Sequence, residues 1–530
     1  MVVHDILLGL LGFTGDIVEV VSSPANDDPQ LKLSRIVKLE TFDRDIVEGV
    51  LELGSMYLTL RLFVDSRKSA SLYDRAIGLA IEAKILPEYE SDIVDVERKM
   101  LSLMTEENLS VSLSSIRLDL WEKYYQGFQL LTKEVIIAPH IDSVIELQDT
   151  FRHSYIDIVV EGVVGCFIKE LEAWCRYAVI PGGRTSSKFL VRESDSYSYT
   201  GNRIDEIALY QIDRRLIPEK LVSFETCDKI LFCGRGVLVL QDGNRSTLVV
   251  SHEETFFKDR PLLGYHKARE YIAEEVEKLR SLISKKLYEK LSQGTNPNLK
   301  WCLEALRGLY LMGYSNQWVS FMEESVMGSR RLGHIFHTVF ENIPVTIAQM
   351  NEDCEIDFNL PWPMELILSS SALDQYKKIM KSLYRVSAAG VRARYCYNMQ
   401  ITCLFASLQS YLQMDVIQSA FRVLMGAVVE SSDIQKIAHA HEEFLSNIHL
   451  GCLVGLPSVW DHLDRIFQLS DELAVDRFLQ DVIDNQVKAE MQLLVKTLED
   501  LRERPSHRIV EKLLLKLNFN HFYTEDNSTI

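Results

Sequence analysis

The stretch that decides the fold is residues 142–178, DSVIELQDTFRHSYIDIVVEGVVGCFIKELEAWCRYA. Large apolar side chains recur in it at spacings of three and four, which predicts one long amphipathic helix. These side chains are Val144, Leu147, Phe151, Tyr155, Ile158, Phe167, Leu171 and Trp174. The following Pro181-Gly182-Gly183 predicts the end of this helix, because proline and glycine interrupt helices.

The same periodicity covers most of the remaining chain. It predicts helices over residues 45–64, 74–86, 112–133, 268–292, 300–325, 372–388, 391–429, 433–451, 458–480, 483–503 and 506–518. The helices differ in length and no fixed repeat period occurs, which favours irregular bundles over a regular solenoid. We therefore expect an all-α fold, an elongated stack of irregular helical bundles in two halves.

Four segments interrupt the helical pattern. Residues 229–234 and 237–240 are short apolar runs around glycines, which predict either a small strand pair or a buried turn. We allow at most a minor strand pair near residues 229–250. Residues 22–30 and 184–207 are rich in polar and turn-forming side chains, so we expect exposed loops there.

The bulk composition limits the classes of function. The chain has 530 residues, 47% apolar residues and a net charge of −19, which suit a folded acidic protein of at least two domains. Because nucleic acids and anionic membranes attract basic surfaces, we expect no nucleic-acid partner. No apolar run reaches the roughly 20 residues of a bilayer span, so we expect no membrane insertion. Nine cysteines without a Cys-x-x-Cys spacing, and no signal peptide, indicate reduced thiols in the cytoplasm.

The sequence contains no complete motif of catalysis or cofactor binding. Gly234-Arg235-Gly236 lacks the third glycine of a dinucleotide fingerprint, and no phosphate loop occurs. His439 and His441 are two residues apart, so they do not share a face of a regular helix and cannot ligate one metal from it. Gly-x-Ser-x-Gly is also absent. We predict no catalytic, cofactor-binding or metal-binding residue, and no enzyme.

The nearest approach to a basic patch lies in the C-terminal half. It consists of Lys377, Lys378, Lys381, Arg392 and Arg394, with Tyr395 and Tyr397 interleaved. One interpretation is a solvated helix face above buried tyrosine rings. The other is a protein-contact surface, since arginine and tyrosine are common anchors of interfaces.

Motifs in one order along the chain resemble the gamma-tubulin complex component family, the grip-motif proteins. They are His4–Phe13, Lys229–Gly234, Trp362–Leu368 followed by Tyr376, Leu408–Val416, Ala440–Asn447 and Leu513–Thr524. The matches at both ends resemble the short component-four type rather than longer relatives with terminal extensions. The chain departs from the family pattern at Met312–Asn316 and Ser387–Gly390.

The resemblance implies a structural subunit of the gamma-tubulin ring complex, which helps to template microtubule nucleation at microtubule-organising centres. It implies an N-terminal domain, residues 1–292, that contacts neighbouring ring subunits laterally. It also implies a C-terminal domain, residues 293–530, that binds gamma-tubulin. The alternative is a generic helical adaptor or vesicle-tethering subunit, which would share the acidic, helical composition.

Polar residues within otherwise apolar helices of 391–416 and 440–447 are the candidates for gamma-tubulin contact. They are Arg392, Arg394, Gln409, Gln413, Asp415, His441, Glu442 and Asn447. The alternative for each is a helix cap or a solvated side chain.

Overall fold

The computed structural model describes most of the chain. The described residues are 2–22, 29–34, 41–66, 71–103, 117–138, 140–181, 188–194, 207, 209–241, 257, 265–292, 298–327, 331–344, 348–351, 354–360, 362–394, 398–475, 480–502, 510–518 and 523. They form two compact units, Met1–Ile283 and Ser284–Ile530.

The N-terminal unit is built almost entirely from helices. Its elements are α1 (Val2–Leu10), β1 (Val18–Ser22), β2 (Pro29–Leu33), α2 (Thr41–Ser66), α3 (Leu72–Ala80), α4 (Leu86–Leu103), α5 (Glu122–Leu130), α6 (Ile141–Phe151), α7 (Ser154–Tyr177), β3 (Val191–Glu193), β4 (Tyr210–Ile212), α8 (Phe224–Gln241) and α9 (Tyr265–Ser292), whose last turns belong to the second unit. Helix α7 packs against α3, α6 and α8.

The C-terminal unit continues the helical architecture. Its elements are α10 (Leu299–Tyr310), α11 (Ser315–Met327), α12 (Leu332–Val339), β5 (Ala348–Met350), β6 (Ile356–Phe358), α13 (Ser370–Ala393), α14 (Met399–Ser410), a π-helical segment (Tyr411–Gln418), α15 (Ser419–Glu430), α16 (Ile434–Gly451), α17 (Pro457–Val475), α18 (Gln480–Arg502) and α19 (Val510–Leu517). The expectation of an all-α fold is confirmed.

Strands make a small contribution to the described part of the chain. Three antiparallel pairs occur there, β1–β2, β3–β4 and β5–β6. The pair β3–β4 aligns Val191 with Ile212, so the predicted exposed loop 184–207 contains a short strand. The other predicted loop, residues 22–30, overlaps the end of β1 and the start of β2. Its residues 23–28 lie outside the described residues.

The prediction of one helix over 142–178 is wrong, because the structure divides this stretch into α6 and α7. Arg152 adopts a left-handed conformation with φ of 47°, and its N–H bonds the carbonyl of Gln148. His153 then caps α7 by accepting a hydrogen bond from the N–H of Tyr155 at 3.2 Å. The Tyr155 ring packs so closely on Gly127 that a Cβ there would lie 2.4 Å from it. This contact is tertiary, so local periodicity does not predict the break.

The prediction of a small strand pair or a buried turn for the apolar runs 229–234 and 237–240 is also wrong, because both runs belong to the helix α8. Residues 242–250 lie outside the described residues. The indole Nε1 of Trp174 on α7 donates to the carbonyl of Ile230 at 2.9 Å, and its ring covers Gly234. Packing against α7 therefore overrides the strand preference of this apolar run.

Two further predicted helices are interrupted. The stretch 300–325 forms α10 and α11, because Met312 adopts a left-handed φ of 56° between them. The stretch 391–429 is broken before Asn398, which caps α14 by accepting from the N–H of Ile401 at 3.0 Å. The other predicted helices are present in the described part of the chain, with ends shifted by a few residues or with a long extension, as in α4. Around α5, the predicted helix 112–133 includes two π-helical segments, Arg117–Trp121 and Leu131–Val135. Residues 112–116, 476–479, 503 and 506–509 lie outside the described residues.

Gly234 provides a test of the packing between α7 and α8. A Cβ at this position would lie 2.0 Å from Cε2 of the buried Trp174. We expect Gly234→Ala to lower the free energy of unfolding by about 1–3 kcal/mol, since the core must shift to accept the methyl group. Urea denaturation followed by circular dichroism measures the change.

Gly165→Ala is the matched control. Gly165 lies in α7, and no neighbouring heavy atom lies within 4 Å of a Cβ built there. The substitution should stabilise the helix by about 0.5–1 kcal/mol because alanine restricts the unfolded chain more than glycine does. Equal effects of the two substitutions would contradict the packing described for Gly234.

Candidate functional site

The end of α13 positions the two arginines predicted to contact a partner. Because the chain leaves the helix after Ala393 and re-enters one at Asn398, Arg392 and Arg394 lie at the C-terminal end of α13. Cations are favoured there, since the helix dipole places partial negative charge at that end. Tyr395 and Tyr397 lie outside the described residues.

Both arginines have carboxylate neighbours within the unit. Arg392 Nε lies 2.8 Å from Asp471 Oδ1 on α17. Arg394 Nη1 lies 3.7 Å from Glu323 Oε1 on α11, and both of these side chains are about half exposed. Arg392 therefore ties α13 to α17, whereas Arg394 is held more loosely at the surface.

Two lysines of the predicted basic patch also have carboxylate neighbours that compensate their charge. Lys377 Nζ lies 3.0 Å from Asp357 on β6, and Lys381 Nζ lies 2.5 Å from Glu355 just before that strand. Lys378 is exposed on the same helix. The charges of this face are thus largely compensated by the unit's own carboxylates, which favours the solvated-face interpretation over a strongly basic docking surface.

A surface pocket of about 340 Å³ brings together three of the predicted residues, Arg394, Gln409 and Gln413. The rest of its wall comes from α10, α11, the turn between them, α13 and the π-helical segment. These residues are Arg307, Met312, Gly313, Ser315, Trp318, Val319, Met322, Ser387, Val391, Met414 and Gln418. Gln413 is fixed in the wall, because its Nε2 donates to the carbonyl of Leu311 at 3.0 Å.

Asp415 lies outside this pocket. Its Oδ2 lies 2.9 Å from Nζ of Lys516 on α19, and both side chains are about one-third exposed. The ion pair links the π-helical segment to α19. Asp415 therefore has a structural partner within the unit.

His441 lies in the core and not on a surface, which removes it from the candidates for direct contact. Only 1% of the residue is exposed, and its Nε2 lies 3.0 Å from the hydroxyl oxygen of Tyr376 on α13. Burial lowers the pKa of His441 to about 4, so the ring is neutral at pH 7. The same burial raises the pKa of Tyr376.

The remaining candidates lie on the outer face of α16. Glu442 and Asn447 are exposed, as is His439, whereas His441 points inward. The prediction that His439 and His441 lie on different faces is confirmed. The structure therefore separates the eight predicted residues into pocket-lining, internally paired, buried and exposed groups.

The pocket also contains residues that sequence reasoning missed, above all Arg307. It lies on α10 among the buried side chains of Leu303, Leu306 and Leu309. The same helix also carries Lys300 and Glu304, so nothing in the sequence marked Arg307 as unusual. Trp318 and Met414, which also line the pocket, gave no signal that distinguished them from core residues.

Two further kinds of site concern metal ions and membranes. Within the described ranges, no group of three His, Cys, Asp or Glu residues is placed to hold a metal ion. One helical stretch, Met399–Glu430, is long and apolar enough to cross a membrane, with a mean hydropathy of 1.3. It contains the charged Asp415, and its helices pack against α13, α16 and α19.

Comparison with known proteins gives the family. A model described as Gamma tubulin complex component N-terminal matches residues 3–293, and one described as Gamma tubulin complex component C-terminal matches residues 354–523. The chain belongs to the gamma-tubulin complex component family. The resemblance inferred from the sequence motifs is thereby confirmed. Members of this family are structural subunits of gamma-tubulin complexes.

Curated relatives match over their full length. Gamma-tubulin complex component 4 of mouse and of human are each 19% identical to this chain, with 100% of the chain and 99% of the relative covered. The protein of the same name from Arabidopsis thaliana is also 19% identical, with 98% and 97% covered. Arg307 and Trp318 lie between the two family matches, whereas the predicted contact residues lie within the C-terminal one.

The buried His441 gives the C-terminal unit a pH-dependent stability. Its pKa falls from 6.5 to about 4 on folding, so its contribution is complete above pH 6.5 and is lost as pH falls toward 4. At about 1.4 kcal/mol per pKa unit, the loss reaches about 3 kcal/mol. We expect His441→Met to reduce this dependence in urea midpoints of the full chain measured from pH 8 to pH 4.5.

His439→Met is the control for this measurement, because His439 lies on the same helix but is exposed. It should leave the pH dependence of the midpoint as in the unmodified chain. A His441→Met variant whose midpoint falls with acid as steeply as that of the unmodified chain would show that His441 is not the titrating group.

Proposed function

We propose that this chain is a structural subunit of a gamma-tubulin ring complex, binds gamma-tubulin and helps to template microtubule nucleation. The observation that supports this most strongly is the presence of both family regions, in order, across residues 3–293 and 354–523. The relatives named Gamma-tubulin complex component 4 cover the whole chain, which favours the component-four type.

The proposed division of labour assigns lateral contacts with other complex components to residues 1–292. The N-terminal unit carries dispersed large apolar side chains at its surface, which neighbouring subunits would cover in the ring. Phe13, Leu79 and Phe224 are each more than 60% exposed. Phe13 follows the turn after α1, Leu79 lies in α3 and Phe224 lies at the start of α8.

Residues 293–530 are proposed to bind gamma-tubulin. The surface pocket with Arg394, Gln409 and Gln413, together with the exposed Glu442 and Asn447 of α16, supports this assignment. These residues combine polar groups with apolar neighbours, which is typical of protein interfaces. His441 contributes through the packing of α16 and not through contact.

The physical basis of the nucleating activity is pre-organisation. A ring of such subunits would hold gamma-tubulin molecules side by side, so the first alpha/beta-tubulin dimers would bind to an arranged surface. The assembled ring would then lower the entropy cost of bringing those dimers into register. The proposed role includes no catalysis, no cofactor, no nucleic-acid partner and no membrane insertion. The proposed location is the cytoplasm, at microtubule-organising centres such as the centrosome or spindle pole.

Binding of purified gamma-tubulin tests the proposal and the division of labour. The fragments should be divided at 283/284, because Ser284 Oγ bonds Asp433 and Tyr288 donates to the carbonyl of Val428 in the C-terminal unit. We expect the full chain and fragment 284–530 to retain gamma-tubulin in a pull-down. Fragment 1–283 is the control, and circular dichroism establishes that each fragment is folded.

The pattern of retention separates the possible outcomes. Retention by 1–283 and not by 284–530 would reverse the division of labour. A folded full chain that retains no gamma-tubulin would contradict the proposed function. It would favour the alternative, a generic helical adaptor or vesicle-tethering subunit.

A further inference from the structure

The pocket of the C-terminal unit contains one arginine whose charge the described residues do not balance. Arg307 is half-buried, and its Nε is enclosed without a hydrogen-bond partner among them. Its guanidinium carbon lies 4.8 Å from the centroid of the Phe421 ring. This contact holds the side chain in place but satisfies none of its N–H donors in the way that a carboxylate does.

Two other cations of the unit have carboxylate partners. Arg392 pairs with Asp471, and Lys516 pairs with Asp415. In the part of the chain that the structure describes, no carboxylate lies within ion-pair distance of Arg307. A partly buried guanidinium without such a partner costs desolvation energy, which binding of an anion would offset.

The remainder of the pocket wall is free of negative charge. None of its lining residues is Asp or Glu, although the chain has a net charge of −19. Arg394 lies in the same wall, 3.7 Å from Glu323, which does not line the pocket. The amides of Gln409 and Gln418 add neutral donors and acceptors. The pocket is therefore complementary to an anionic group.

Apolar side chains of the pocket wall indicate which other group the ligand must contain beside its anionic group. Val319 and Met414 supply the accessible apolar surface of the pocket, with 38% and 58% of the residue exposed, whereas Trp318 and Met322 are almost fully buried. A phosphate group would require several cations or N–H donors around it and would gain nothing from this apolar surface. A carboxylate side chain next to a large apolar side chain matches both parts of the wall.

We propose that the pocket receives a segment of gamma-tubulin in which an Asp or Glu lies beside a large apolar residue. The carboxylate accepts hydrogen bonds from Arg307, and the apolar side chain packs against Val319 and Met414. This assignment rests on the proposed function, because it takes gamma-tubulin as the partner. It makes Arg307 the central anchor of the contact and places Arg394 at its edge.

Affinity of the full chain for purified gamma-tubulin, measured by biolayer interferometry, provides the first test. We expect Arg307→Met, which keeps much of the side-chain length but removes the charge, to weaken binding by about thirtyfold or more. Arg307→Lys keeps the charge and should retain most of the affinity. Arg465→Met removes an exposed arginine of α17 outside the pocket wall and should bind like the unmodified chain.

A photo-crosslink provides a second measurement that does not depend on truncating Arg307. The photoreactive residue p-benzoylphenylalanine replaces Met414 at the rim, and mass spectrometry identifies the gamma-tubulin peptide attached to it. We expect one peptide that contains Asp or Glu beside a large apolar residue. If Arg307→Met lowers the thermal midpoint of the chain, this crosslink and the Arg307→Lys affinity decide the question.

The outcomes distinguish this inference from the function on which it rests. A folded Arg307→Met variant that binds gamma-tubulin like the unmodified chain would overturn the pocket assignment alone. So would a crosslinked peptide without an acidic residue, or no crosslink from a chain that still binds. Failure of the unmodified chain to bind gamma-tubulin would instead overturn the proposed function, and this inference with it.

Discussion

Burial of the apolar face of α13 is the constraint on which the C-terminal unit depends. This helix packs against α10, α11, α14, α16 and α17, so five neighbours take their positions from one surface. Near its start, Tyr376 meets the buried His441 of α16 at 3.0 Å. Near its end, Arg392 and Arg394 reach the surface beside the pocket. The packing of one helix thus determines both the core and the candidate contact site.

Compensation of charge within the unit explains why one pocket is chemically distinct from its surroundings. The predicted basic patch contains cations that already have carboxylates from neighbouring elements, as Lys377 has Asp357. Arg307 lacks such a neighbour in the described residues and lies against the Phe421 ring. Part of the pocket wall comes from Met312, Gly313 and Ser315, at the turn between α10 and α11.

Periodicity predicted the helical class and most helix positions, because every helix must bury one apolar stripe. Periodicity failed where the chain changes direction between two helices without a change in the spacing of the apolar residues. Arg152 and Met312 adopt left-handed conformations within stretches that read as continuous helices. It also failed at residues 229–241, where Trp174 packs on Gly234 and keeps the segment helical. For the site, sequence reasoning selected three pocket residues but missed Arg307, because one arginine in an amphipathic helix forms no motif.

By itself, the sequence determined the all-α class, the absence of recognisable catalytic motifs and the resemblance to the gamma-tubulin complex components, since local periodicity and ordered motifs survive without coordinates. Only the tertiary structure decided which polar residues are accessible. His441 and Glu442 are adjacent in the sequence, yet one is enclosed against Tyr376 and the other faces outward. The physical reason is that burial and charge pairing depend on neighbours from distant parts of the chain, and those neighbours are set by packing.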